Sequence, residues 1–91
     1  MKLKQTGRFR RGFKRMSKRG KSEVKLKKIA KQISTGDLDS LATKDHQLKG
    51  KFKAYRECHI EPDWLLVYRI TDDGQTLELY DTGTHQDIFG V

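Results

Sequence analysis

Ninety-one residues allow one domain, residues 1–91, around a single modest core. Hydrophobic residues make up 34% and charged residues 35%, yet several segments keep clear apolar periodicity, which excludes disorder throughout. One cysteine, Cys58, excludes an internal disulfide and a multi-cysteine zinc module, and suits a reducing, cytoplasmic setting.

Charge is unevenly placed. Residues 1–36 hold 14 Lys/Arg against the single acid Glu23, whereas residues 37–91 hold 6 Lys/Arg and 11 Asp/Glu. A first part this cationic implies a polyanionic or acidic partner, such as nucleic acid, the ribosome, an anionic surface or an acidic protein. The basic start "MKLKQTGRFRRGF" has no apolar stretch behind it, so no secretory signal is expected. No apolar run approaches membrane-spanning length.

"MKLKQ" alternates, predicting a short strand with Leu3 inward. Thr6 is a suitable N-cap, and Phe9, Phe13 and Met16 recur at helical spacing from Gly7 to about Lys18. Gly12 weakens that helix by roughly 1 kcal/mol relative to alanine, so packing must hold it. After Gly20, Ser22 caps a second helix with Leu26, Ile29, Ala30 and Ile33 as its apolar stripe and Gly36 as its stop. Residues 37–50 read as a connector anchored by Leu38, Leu41 and Leu48.

Three strand-like runs follow. The first spans Phe52 to Ile60. The second, "WLLVYRI" (64–70), is apolar throughout, as a strand covered on both faces would be. "DDG" (72–74) is a tight-turn signal before the third, "QTLELYD" (75–81). "THQDIFG" predicts one last helical turn. Short loops between these strands imply antiparallel pairing. The expected fold is therefore α+β, a twisted antiparallel sheet with two basic N-terminal helices on one face.

The polar residues permit several chemistries. Zinc could use His46, His59, His85 and Asp63, but no HxxxH or CxxC spacing supports it. Alternation sends Cys58 and His59 to opposite sheet faces, so Cys58 reads as a buried hydrophobe rather than a nucleophile. Glycine patterns for nucleotide binding are absent. RNA cleavage without metal fits best, because the 2′-OH is already present as nucleophile. The protein then needs groups that move protons, which histidines do near their ordinary pKa of ~6.5, and cations that hold phosphate. An aromatic such as Phe89 could stack on a displaced base. Taken singly, each histidine is equally an ordinary surface residue.

The segments "DHQLKG", "YRECHIEPDWLLVYRI" and "DTGTHQDIFG" closely resemble the YafQ branch of the RelE/ParE-like toxins, whose pattern runs DHxLxG, YRexHixPDWlLiYr and TGTHxxLF. The resemblance is specific over residues 45–90 and generic over the basic helices. It implies a RelE-like fold and a ribosome-dependent endoribonuclease that cuts mRNA in the ribosomal A site without metal or small-molecule cofactor. It implies His46, His59, Asp63 and His85 as the acid–base residues and Phe89 as an aromatic that places RNA, with Glu57 where the family often has aspartate. It also implies an acidic DinJ- or RelB-like antitoxin bound in a hetero-oligomer. Asp81 stands where this branch commonly has arginine, so an anion is expected to face the scissile phosphate, with Lys49, Lys51 or Lys53 as replacement cations. Two other readings remain at this point: a weak or inactive ribosome-binding member, and a ParE-like gyrase inhibitor.

Overall fold

The computed structural model describes residues 1–36 and 45–90. In chain order the elements are β1 (Lys2–Gln5), α1 (Gly7–Lys18), α2 (Glu23–Ser34), β2 (Asp45–Gln47), a 3-10 turn at Gly50–Phe52, β3 (Arg56–Glu61), β4 (Trp64–Thr71), β5 (Thr76–Gly83) and α3 (His85–Phe89). The strands form one sheet in the order β1-β5-β4-β3-β2. The expected anchors Leu38 and Leu41 lie outside the described residues, whereas Leu48 packs against the second core cluster.

Local chemistry explains both long helices. The Phe9 N–H donates to Thr6 Oγ1 at 3.0 Å and opens α1, whose Phe9 and Met16 are buried with Phe13 packed beside them. Gly20 adopts a φ of 84° just past its end, a conformation that glycine reaches without side-chain strain. Ser22 occupies the N-cap of α2 but makes no side-chain cap bond, so that helix is held by Leu26, Ala30 and Ile33 in the core. Gly12 is used for contact rather than for the helix itself. A Cβ there would sit 2.3 Å from the Thr82 carbonyl oxygen, so only glycine lets α1 lie this close to β5.

Three of the four strand pairings are antiparallel, but β1 runs parallel to β5, so the sheet is mixed rather than wholly antiparallel. Short hairpins dictate direction only between chain neighbours, and β1 and β5 stand at opposite ends of the sequence. Leu3 differs from expectation too, being 58% exposed on this edge strand. The predicted strand from Phe52 starts only at Arg56, because the 3-10 turn with Gly50 at φ 65° takes its first residues. The connector gains an unexpected short strand, β2, paired with β3.

The sheet has two unequal faces. Phe9, Met16, Leu26 and Ile33 from the helices pack with Cys58, Trp64, Leu66, Tyr68, Leu77 and Leu79 on one side. Leu65, Val67 and Ile88 form a smaller cluster on the other, flanked by Leu48, Tyr55, Tyr80 and Phe89. The first five residues of β4 are buried, as a strand covered on both faces requires. Trp64 Nε1 donates to Thr82 Oγ1 at 2.9 Å, and that hydroxyl donates to the Leu65 carbonyl at 2.7 Å, which satisfies three buried polar groups where β4 meets β5.

Candidate active site where the β3–β4 turn meets the third helix

Strand register decides which polar residues converge. Glu57 pairs with Val67 and His59 with Leu65, so both project from the face that α3 covers, while Cys58 pairs with Leu66 and points to the helices. A bulge follows at once, since Glu61 pairs with Trp64 and leaves Ile60 as an extra residue. Ile60 packs against the helix-side core, and Glu61 accepts from Lys21 and Lys25 at the start of α2. The bulge thus removes one of the three acids of "YRECHIEPDW" from the histidine face.

Pro62 and Asp63 close the β3–β4 hairpin. Leu65 pairs with Gly83 across β4 and β5, and that register carried outward by two residues sets Asp63 opposite His85. The His85 amide donates to Asp63 Oδ1 at 3.1 Å, and His85 Nδ1 lies 2.7 Å from the same oxygen. His59 and His85 rings lie 5.7 Å apart, tilted by 46°. Glu57, His59 and His85 each offer a ligand-type atom within 4.8 Å of the others. Those three would also suit a transition metal. Spacing along the chain hides such a set, because its members come from β3 and α3.

Hydrogen bonds from the His85 side chain and then its amide hold the Asp63 carboxyl below its ordinary pKa. With Asp63 ionised, a proton on Nδ1 completes this bond and leaves Nε2 open to a ligand. Glu61 is lowered by its bonds from Lys21 and Lys25, and Asp87 strongly by its bond from Arg19. Carboxylates depressed in the folded state stabilise it above their unfolded pKa values, near ~4, and lose that contribution as pH falls. The melting temperature should therefore hold from pH 7 to about 5 and decline below about pH 4, as followed by circular dichroism.

The other expected residues fall as follows. His46 stands opposite Glu57 in the β2–β3 register. Phe89 meets Phe52 edge-on, with ring centroids 5.6 Å apart, and Lys51 Nζ lies 5.3 Å from the Phe52 ring centroid. The exposed Lys49, Lys51 and Lys53 thus belong to a turn that abuts the end of α3, one helical turn from His85. Asp81 departs from its expected role. It is only 5% exposed, it accepts from the Thr82 amide at 2.8 Å, and Arg8 lies 3.8 Å away. Burial raises its pKa. It is a packing residue beneath α1, not an open anion awaiting phosphate.

Sequence reading missed the residues that hold α3. Thr84 and Asp87 form a capping box around its first turn, and Asp87 also receives two hydrogen bonds from Arg19. The T-x-x-D spacing was visible as a capping signal. Arg19 lies 68 residues away and left no local sign.

The model of the bacterial toxin YafQ of type II toxin–antitoxin systems matches residues 1–90. The mRNA interferase toxin YafQ of Escherichia coli strain K12 is 38% identical over 89 residues, covering 97% of this chain and 95% of that protein. Among solved structures, the E. coli DinJ-YafQ complex gives a TM-score of 0.84 at 38% identity, covering 97% of each chain. A metal-bound toxin from Helicobacter pylori gives 0.89 at 35% identity, covering 98% of this chain and 99% of that one. A match that spans both the generic basic helices and the histidine-bearing hairpins leaves one conclusion: the chain belongs to the YafQ family of bacterial toxins of type II toxin–antitoxin systems.

Proposed function

We propose that this protein is an endoribonuclease toxin that cleaves mRNA in the ribosomal A site, using the RNA 2′-OH as nucleophile and no metal, and so halts translation. The observation that carries this reading is the Asp63–His85 contact with the His59 ring 5.7 Å away and Glu57 beside both. One group removes the 2′-OH proton, the oxygen attacks the adjacent phosphorus, and another group protonates the departing 5′-oxygen. The products are a 2′,3′-cyclic phosphate, or the 3′-phosphate after hydrolysis, and a 5′-OH. His59 and His85 supply the imidazoles, Asp63 orients His85, and Lys49, Lys51 and Lys53 with Phe89 border the RNA path. The cationic first part gives long-range attraction to rRNA.

An acidic antitoxin is the matching partner, and the relative solved with DinJ supports that reading. Such a chain would bind the cationic surface and fold as it does so. A cytoplasmic location follows from the ribosomal target.

Protein stripped of transition metals with EDTA and returned to magnesium-containing buffer should still cut mRNA on programmed ribosomes, giving fragments ending at the A-site codon. Loss of cutting in the stripped protein that an added transition metal restores would overturn the metal-free chemistry. Salt-sensitive ribosome binding without fragments would instead favour an inactive RNA-binding member.

A further inference from the structure

We propose that Arg19 and Asp87 form an ionic clamp between α1 and α3 that positions His85 for proton transfer. This rests on the endonuclease reading and adds two positioning residues to it.

The clamp is built from several independent contacts. Arg19, the C-cap of α1, donates through one guanidinium nitrogen to Asp87 Oδ2 at 2.7 Å and through the other to Oδ1 at 3.3 Å. Arg15, one turn earlier, lies 3.9 Å from the same carboxylate. Asp87 Oδ2 also accepts the Thr84 amide at 3.0 Å, while the Asp87 amide donates to Thr84 Oγ1 at 3.1 Å. His85 is the residue directly after Thr84, so the loop closed by Asp87 contains it.

Packing leaves this arrangement little slack. A Cβ on Gly83 would lie 2.9 Å from Asp87 Cβ, and one on Gly12 would strike the Thr82 carbonyl oxygen. Both α1 and α3 therefore press directly on the end of β5. The Asp87 side chain is 15% exposed, and its fork-to-fork pairing fixes orientation as well as distance. Five residues cannot sustain a helix by themselves. Besides Ile88 and Phe89, which pack in the small core and against Phe52, α3 is tied to the body by the Asp63–His85 contact at its first residue and by Asp87 at its centre. Release of Asp87 would let α3 pivot and carry the imidazole away from His59. A shift of about 1 Å at a reacting group can cost roughly 100-fold in rate.

Two cations of α1 thus serve α3 rather than RNA.

Asp87→Asn keeps an acceptor for Thr84 but removes the ion pair, and Arg19→Ala removes the other half. Single-turnover cleavage on programmed ribosomes should slow at least about tenfold in both, with ribosome affinity within about twofold of the parent. Arg19→Lys should recover most of the rate, and Gln75→Ala, an exposed change in the β4–β5 turn at the far end of β5 from α3, should leave it unchanged. Amide hydrogen exchange at His85 should quicken at least about tenfold in Asp87→Asn, a readout independent of activity. A parental rate in Asp87→Asn, or an Arg19→Ala loss seen wholly as weaker ribosome binding, overturns the clamp. If the parent itself cuts nothing, the endonuclease reading fails, and amide exchange alone decides the clamp.

Discussion

His85→Ala should abolish most cleavage, by about 100- to 10,000-fold, while ribosome binding survives. His85 sits at the start of α3, with its amide and Nδ1 both directed at Asp63 Oδ1. That double contact orients the ring and commits Nδ1, so the substitution removes a prepared proton carrier rather than a free surface imidazole. The backbone bond from residue 85 to Asp63 does not need the side chain, and the Thr84–Asp87 capping box does not include it. The fold should therefore persist. Fragment yield at the A-site codon and ribosome co-sedimentation, measured on one preparation, separate the two effects. Full cleavage by His85→Ala would remove His85 from the chemistry. Equal loss of binding and cleavage would make it an RNA contact.

Much of the fold was legible because local signals agreed. Thr6, the spacing of Phe9, Phe13 and Met16, and Gly20 predict α1 at its observed bounds, Gly7–Lys18. Unbroken apolarity in "WLLVYRI" predicts the doubly covered β4. The parallel partner of β1 could not be read, since no local turn relates residues so distant in the chain. Within the site, the alternation of Glu57, Cys58 and His59 predicted which two share a face. The turn of Glu61 toward Lys21 and Lys25 was hidden, because a bulge at Ile60 interrupts that alternation with no glycine to mark it. The approach of Asp63 to His85 depended on the register between β4 and β5. A second irregularity there, between Val67 and Tyr68, adds Tyr80 to β5 and shifts that register. Periodicity alone does not count such residues.

Asp81→Arg, which restores the cation common in this branch, should destabilise the protein without making it a faster nuclease. Motif comparison alone would suggest the opposite, because a guanidinium near the scissile phosphate helps catalysis in principle. Physical surroundings decide against it here. The Asp81 carboxylate is buried under α1, Gly12 lies against it, and Arg8 and Arg15 both act on its charge. An arginine side chain would have to displace α1 or leave the sheet, would lose the acceptor for the Thr82 amide, and would set a third cation beside two others. Leaving the Thr82 amide without its acceptor and overfilling the space beneath α1 costs about 1–3 kcal/mol, enough to lower the melting temperature by roughly 5 °C or more in a domain of this size. Cleavage per folded molecule should be no higher than the parent's, because the residues proposed to meet RNA project from the β3–β4 turn, α3 and the lysine-bearing turn. Thermal melting and single-turnover cleavage on programmed ribosomes test both halves. A faster nuclease with an unchanged melting temperature would mean that position 81 faces the RNA after all.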